Sequence, residues 1–360
     1  MKVIKKILVD LTPLYGRKKT GVELYGIEFY NALLKTQHEI TPVFRCENSI
    51  DSNPKAIIIK CRNRLIVENF WLSKIVAKEN PDIVFFPIFP PPLDIYRFSK
   101  IKIVPTIHDL AFRYYSSTLS LKSRIYLTPK YNCALRYASV IITISETIKS
   151  ELSMISSASI LNWGENISPV YKLEQDYSFD NRILLNYGLY NHEYLISVST
   201  IEPRKNLMYL LSLFECILKY FPNLKLVLVG RNGWGKNVDL LDMITKLGES
   251  IIFTGYVSDV DLINLYHYSK SFVLLSKYEG FGRTPIEAYA CGANVIVSDI
   301  PVFRETMGEN AQYVNLNDKL LATMQLRKYL SSVNVVSNKN ILSAFDKLDE
   351  NMLNEINVLL

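Results

Sequence analysis

The chain has 360 residues, of which 49% are hydrophobic and 21% charged, with 14 Gly, 15 Pro and five Cys. Its length favours two domains of about 150–200 residues, and its composition excludes disordered, collagen-like and disulfide-scaffold classes. The net charge of +6 divides unevenly: residues 1–150 carry 23 Lys and Arg against 12 Asp and Glu, the remainder 18 against 23. A basic first half suits an anionic partner. No helix-turn-helix, RNP or zinc-finger pattern accompanies that charge, so nucleic acid is not the expected partner. An anionic membrane surface or a phosphorylated lipid fits it, and so does an ordinary solvated basic face. Apolar stretches such as 83–89 are broken by proline and fall short of the ~18 residues a membrane span needs. Asp10 interrupts the apolar run that follows Lys2, Lys5 and Lys6, so no leader is expected. The cysteines (46, 61, 133, 216, 291) are scattered and form no C-x-x-C. They read as buried thiols of a reducing, cytoplasmic setting.

In chain order, short Val/Ile-rich runs alternate with longer amphipathic segments, which predicts an α/β fold with parallel sheets. Strands are expected near Lys6–Leu11, Ala56–Lys60, Asp82–Pro87, Lys102–Thr106 and Val140–Ile144, then near Glu193–Ser199, Lys225–Val229, Ile251–Phe253, Ser271–Leu275 and Asn294–Ser298. The segment 162–191, with Gly164, Pro169, Glu174, Asp176, Asp180 and Gly188, has linker composition. The domains are therefore expected at 1–170 and 191–342, joined by a linker at 171–190. Residues 343–360, with Phe345, Leu348, Met352 and Ile356, read as an amphipathic helix packing back toward the first domain.

Two helix starts are built alike. Thr20-Gly-Val-Glu23 and Thr284-Pro-Ile-Glu287 both have the spacing of a capping box, and each follows an irregular Gly-containing loop. Helix amino termini present unpaired N–H groups to anions. Ligands of open α/β sheets sit off the carboxyl ends of the strands. Two such domains face to face would hold a ligand in the cleft between them.

Candidate chemistry concentrates in three places. In Tyr278–Gly292, Glu279 lies on a loop whose Gly280 and Gly282 allow close backbone approach, so its carboxylate can accept sugar or ribose hydroxyls. The plain reading of Glu287 is half of a cap with Thr284. In Ser197–Asn206, Arg204 and Lys205 stand at a helix amino terminus, where cations oppose the macrodipole unless an anion such as diphosphate is near. Third, His108 and Asp109 follow Lys102–Thr106 at a strand's carboxyl end; the plain alternative is a hydrogen-bonded structural histidine. Gly230-Arg-Asn-Gly-Trp-Gly235 reverses the dinucleotide fingerprint and is set aside. There is no P-loop, no metal-ligand spacing and no nucleophile elbow. The two glutamates do not make a glycosidase pair beside cations that imply an anionic leaving group.

Glu279 through Glu287 forms E-x7-E, with Ser199-Thr-Ile-Glu-Pro-Arg-Lys-Asn206, Phe253-Thr-Gly-Tyr-Val-Ser-Asp259 and Glu279-Gly-Phe-Gly282 around it in order. Together these resemble the retaining "group 1" glycosyltransferases, whose architecture is GT-B: two Rossmann-like domains facing each other across a cleft. In the first half the likeness rests on 16–34, Ile107-His-Asp-Leu-Ala-Phe112 and Ile144-Ser-Glu146. The resemblance implies a nucleotide-sugar donor in the second domain, an acceptor in the first, retention of anomeric configuration, and no metal or cofactor. Arg204 and Lys205 would then grip the diphosphate. Glu279, with the Gly280–Thr284 backbone (Phe281, Gly282 and Arg283 above all), would hold the sugar, while Glu287 reached the ribose and Tyr256 and Val257 flanked the base. Gly21 would approach the phosphate or sugar, and His108 the sugar near the reacting carbon. Arg283 departs from the family's usual apolar residue and adds a charge near the diphosphate.

The Glu-Pro-Arg-Lys-Asn wording is similar to mannosyl- and rhamnosyl-type members, which favours a GDP-sugar over UDP- or dTDP-sugars. Aromatic and basic residues mingle at 95–98 and 112–126, which suits a membrane interface and an undecaprenyl-diphosphate-linked glycan acceptor in surface-polysaccharide (O-antigen-like) synthesis. A sugar-nucleotide epimerase of the same architecture and a non-catalytic nucleotide-binding protein are the rival readings.

Overall fold

Runs such as Val140-Ile-Ile-Thr143 and Lys225-Leu-Val-Leu-Val229 are buried along nearly their whole length. That is the signature of parallel strands covered by helices on both faces. The structure, a computed structural model, describes residues 4–16, 20–46, 53–118, 121–172, 177–230, 238–332 and 347–359. The chain divides into two compact units, one of residues 1–166 with 345–360, the other of residues 167–344.

In the first unit β1 (Lys6–Asp10), α1 (Gly21–Leu34), β2 (Glu39–Arg45) and β3 (Ile57–Ile59) are followed by a helical stretch of three parts: α2 (Arg64–Ile66), a π turn (Val67–Trp71) and α3 (Leu72–Glu79). Then come β4 (Ile83–Phe86), β5 (Lys102–Pro105), α4 (Ala111–Tyr114), α5 (Leu121–Tyr137), β6 (Val140–Thr143), α6 (Glu146–Ser153) and β7 (Ser159–Asn162). The sheet order is β3-β2-β1-β4-β5, all parallel, and a bridge from Thr106 to Ile142 leads on to the β6–β7 pair.

The second unit runs β8 (Tyr194–Val198), α7 (Leu207–Leu218), β9 (Lys225–Val229), α8 (Val238–Leu247), β10 (Ile251–Gly255), α9 (Asp259–His267), β11 (Ser271–Leu274), α10 (Arg283–Ala290), β12 (Val295–Ser298), α11 (Pro301–Met307), β13 (Gln312–Val314) and α12 (Lys319–Ser331). Its order, β10-β9-β8-β11-β12-β13, is the Rossmann order. Leu195, Phe214, Leu226 and Ile296 lie at the heart of its core.

The closing helix α13 (Lys347–Leu359) buries Leu348, Met352 and Ile356, one every four residues, as part of the first unit. Its Glu355 accepts from Trp163 Nε1 at 2.8 Å, and its Asn351 Nδ2 donates to the Trp163 carbonyl at 3.2 Å. Trp163 in turn stacks on Phe29, ring centroids 5.7 Å apart. Phe345 lies outside the described residues, as do residues 231–235 of the glycine-containing Gly230–Gly235 sequence.

Several expectations need correcting. Strands β2, β7 and β13 have no counterpart in the sequence reading. Pro42 hides β2, because proline lacks the ladder N–H and argues against an inner strand, yet it pairs with Val9 here. The unit division falls between Asn166 and Ile167 rather than within 171–190. That stretch instead supplies a 3-10 turn, Asn181–Tyr187, capped by Asp180 and ending at Gly188 in the left-handed region. Of the five free thiols only Cys291 is fully buried; the others are half-buried.

Candidate active site

In a sheet of Rossmann order the crevice opens where the winding reverses, between β8 and β11 in the second unit. The two loops leaving those strands carry the charges singled out in the sequence. After β8, Arg204 and Lys205 occupy a 3-10 turn, Pro203–Lys205, and Asn206 (φ 58°) caps α7 from the left-handed region. After β11 comes Glu279, 5% exposed. Arg204 Nη1 donates to Glu279 Oε2 at 2.7 Å, and Lys205 Nζ donates to Oε1 and Oε2 at 2.6 and 2.8 Å. Ser276 Oγ adds a hydrogen bond to Oε1 at 2.7 Å. Arg204 also pairs with Glu202 at 2.9 Å, and its carbonyl accepts from Lys277 N at 2.8 Å, tying the two loops together.

Burial alone would raise the Glu279 pKa, but the Lys205 and Arg204 cations outweigh it and hold the carboxyl down at about 2. Burial pushes the Lys205 ammonium below its ordinary value, with Glu279 opposing. The anion that the cations at this turn demanded is thus present within the protein. Glu279, expected from the sequence to meet sugar hydroxyls, is also the counterion of both cations, and Ser276 and Glu202 complete the cluster without a local signal in the sequence. A cavity of about 200 Å³ adjoins the cluster, lined by Ile201, Glu202, Pro203, Asn206, Leu207 and Lys277 among others.

The expected capping box at Thr284 does not form. Gly282, with φ +93°, is the N-cap, so α10 begins at Arg283 and Pro285 occupies its third position. A Cβ at Gly282 would stand 2.6 Å from Phe303 Cε1, so glycine is required twice over. Glu287, released from capping, faces Arg283 one turn back at 3.7 Å, both nearly buried. Burial raises the Tyr171 and Tyr266 hydroxyls, and the Glu287 charge raises them further, which places all three near one another. Gly280 is buried, while Phe281 and Thr284 are half-buried beside the helix start. Tyr256 is 70% exposed after β10, whereas Val257 is buried, so only the backbone of Val257 can flank a base.

In the first unit the box at Thr20 does form: Glu23 accepts from Thr20 N at 3.1 Å, and Gly21 is the first residue of α1. His108 Nε2 donates to the Pro87 carbonyl at 2.8 Å, and its ring meets Tyr25 edge-on at 4.8 Å. Asp10, at the end of β1 and used in the sequence only against a leader, is 5% exposed and accepts from Thr12 N and Oγ. Burial raises its carboxyl to about 6. Nearby, Glu68 on the π turn collects Arg64, Tyr126 and Lys130 in one buried cluster. Of the aromatic-basic stretches, Ile95 and Phe112 are buried, with Phe112 stacked on Tyr131 at 4.0 Å, whereas Arg97, Tyr114, Leu121 and Ile125 are exposed.

Among the described residues no group of His, Cys, Asp and Glu could hold a metal ion, and no helix is long and apolar enough to cross a membrane. Residues 188–324 match the family model described as glycosyl transferases group 1. The chain is 29% identical over 228 residues to the O-antigen chain mannosyltransferase B of Escherichia coli, covering 60% of this chain and 58% of that one. It is 31% identical over 193 residues to a GDP-mannose:cellobiosyl-diphosphopolyprenol alpha-mannosyltransferase of Xanthomonas oryzae, covering 52% and 48%. The chain thus spans about half the length of these curated relatives. The structure of Anabaena Alr3699/HepE in complex with UDP-glucose superposes with a TM-score of 0.72 at 17% identity, over 99% of this chain and all of that one.

Proposed function

Because this chain carries a group 1 glycosyltransferase domain on a GT-B fold, we propose that it transfers a hexose, of mannose or rhamnose type, from a nucleotide-diphosphate sugar to a glycan or polyprenyl-diphosphate-linked glycan. The anomeric configuration is retained and no metal takes part. The biology is assembly of a bacterial surface polysaccharide of O-antigen type, at the cytoplasmic face of the membrane. A GDP-sugar is the favoured donor, ahead of UDP- and dTDP-sugars; the names of the mannosyltransferase relatives lean the same way.

The observation that carries this reading is the convergence of Arg204, Lys205 and Glu279 from the two strands at the winding reversal. Breaking the bond between the anomeric carbon and the diphosphate leaves negative charge on the departing oxygens and positive charge on the sugar carbon. Cations already held in place by Glu279 need no reorganisation to meet the first, typically the largest contribution in such catalysis. Arg204 offers a fork to two phosphoryl oxygens and Lys205 a point charge. Glu279 sits beside glycines 280 and 282, where a sugar can approach the backbone. The Glu287 carboxylate is the candidate for the ribose, and Tyr256 for the base. In the first unit Gly21 and His108 are the candidates for the sugar and acceptor side.

Thermal-shift measurements with GDP, UDP and dTDP test donor class, followed by transfer assays with the matching sugar nucleotide. Stabilisation by one diphosphonucleoside and acceptor-dependent release of it support the reading. Sugar product formed without any acceptor would instead indicate an epimerase, and binding without turnover a non-catalytic nucleotide-binding protein.

A further inference from the structure

The geometry points to a membrane-docking face on the first unit, built by α2, the π turn and the first turns of α5 and fitted to a bilayer rich in anionic lipid. The π turn sets it up. Widening the helix by one residue separates the buried pair Val67–Glu68 from the next buried pair, Leu72–Ser73, by five positions and leaves Asn69, Phe70 and Trp71 turned outward. Phe70 is 62% and Trp71 45% exposed, beside Leu65 at 52% and Ile66 at 42%. The neighbouring α5 is held to this stretch by Tyr126 and Lys130, which both bond Glu68. One and five residues before Tyr126, α5 exposes Ile125 (66%) and Leu121 (61%). Monomeric soluble surfaces seldom gather so many large apolar side chains.

The flanking charge selects the occupant. Lys60, Arg62, Lys74 and Lys78 are exposed, and none has an ion-pair partner among the described residues. Lys122 and Arg124 on α5 are likewise exposed and unpaired. Of the acids in this stretch, Glu68 is buried and already neutralised by Arg64 and Lys130, and Glu79, next to Lys78, is half-buried and pairs with none of these cations. A Trp-bearing apolar face ringed by uncompensated cations matches the interface of an anionic bilayer, where aromatic rings lodge at headgroup depth and lysines reach phosphates. A protein partner would need a matching acidic rim; a bilayer supplies one everywhere. This face deepens the proposal of a membrane-borne acceptor and rests on it; of the stretches expected at the membrane, 95–98 and 112–126, it keeps 121–125 and adds 60–78.

Co-sedimentation of the full chain with phosphatidylcholine vesicles, with and without phosphatidylglycerol, tests it. Binding is expected only to the anionic vesicles and is expected to weaken as salt rises. Phe70→Ser with Trp71→Ser should cut the vesicle-bound to free ratio at least about tenfold. Lys74→Glu with Lys78→Glu should cut it roughly fivefold per cation removed. Met324→Ser, at an exposed apolar residue of the second unit, should change nothing. All these side chains are on the surface, and circular dichroism checks the fold of each variant. No binding to anionic vesicles at low salt overturns the proposal. So does unchanged binding of the Phe70/Trp71 variant, or a solution dimer that the same variant dissolves. Thermal shift by nucleotide diphosphate and transfer to a water-soluble acceptor report separately on the proposed function, so either reading can fail without the other.

Discussion

Lys205 Nζ reaches both carboxylate oxygens of Glu279, at 2.6 and 2.8 Å, from the loop of a neighbouring strand. The pair is buried, so removing one partner leaves the other charge to be solvated by little more than Arg204 and Ser276. Lys205→Ala should therefore lose about 3 kcal/mol of unfolding free energy, the lower end of the range for breaking buried pairs because Arg204 still covers Glu279. It should also slow transfer by at least about 100-fold. Lys205→Met with Glu279→Gln separates the two effects. Urea unfolding of the double variant should return near wild type, while transfer stays lost; recovered transfer would make the pair merely structural. Arg204→Ala should impair transfer similarly, with the unfolding loss softened because Lys205 still covers both oxygens.

Glu279 also sets an acid limit. Its carboxyl is held at about 2 against an ordinary 4.5. A depressed acid contributes stability that is present above the unfolded value and lost as pH falls through the folded one. Unfolding free energy of the wild type should decline between about pH 4.5 and 2 by up to about 3 kcal/mol. Glu279→Gln should start lower at pH 7 and lose less over that interval. Parallel acid profiles for the two proteins would refute this.

Asp10 has the opposite sign. Burial raises its carboxyl from 3.8 to about 6, with the Thr12 hydrogen bonds only partly offsetting it. An acid raised in the folded state favours folding below its unfolded value, and that advantage disappears as pH rises through 6. Asp10→Asn keeps an oxygen for Thr12 N and Oγ and removes the buried charge. It should stabilise the protein at pH 7.5 by about 1–3 kcal/mol and flatten stability between about pH 4 and 6. An unchanged or lower midpoint in chemical unfolding at pH 7.5 would show that the ionised form is wanted there.

What the sequence revealed follows the range of the interactions. Pro203-Arg-Lys-Asn206 and Glu279-Gly-Phe-Gly282 are local, so their loops and charges were legible, as was the alternation of strand and helix. Their pairing was not, because Arg204 and Glu279 stand 75 residues apart and meet only through the β8–β11 register. Lys130 likewise carries no local mark of burial; Glu68, 62 residues away, turns it inward. Pro42 concealed an inner strand because its local cost is visible and its tertiary support is not. The α10 start was misplaced for the converse reason: Thr284-Pro-Ile-Glu287 is a good cap, but Gly282 with φ +93° starts the helix earlier.

Gly282 gives the sharpest steric test. Any side chain there must adopt a left-handed backbone and also meet Phe303, whose Cε1 would lie 2.6 Å from the new Cβ. The two penalties are separable. Gly282→Ala should destabilise the protein by about 2–4 kcal/mol, combining backbone strain with the overlap. Adding Phe303→Leu opens space against the methyl but leaves φ unchanged. It should thus recover part of the loss relative to Phe303→Leu alone, and the coupling read from that double-mutant cycle should be at least about 0.5 kcal/mol. Transfer should fall in both glycine variants, because the left-handed turn at Gly282 positions Arg283 and the head of α10. Full activity in a stably folded Gly282→Ala would show that the loop's backbone does not meet the sugar.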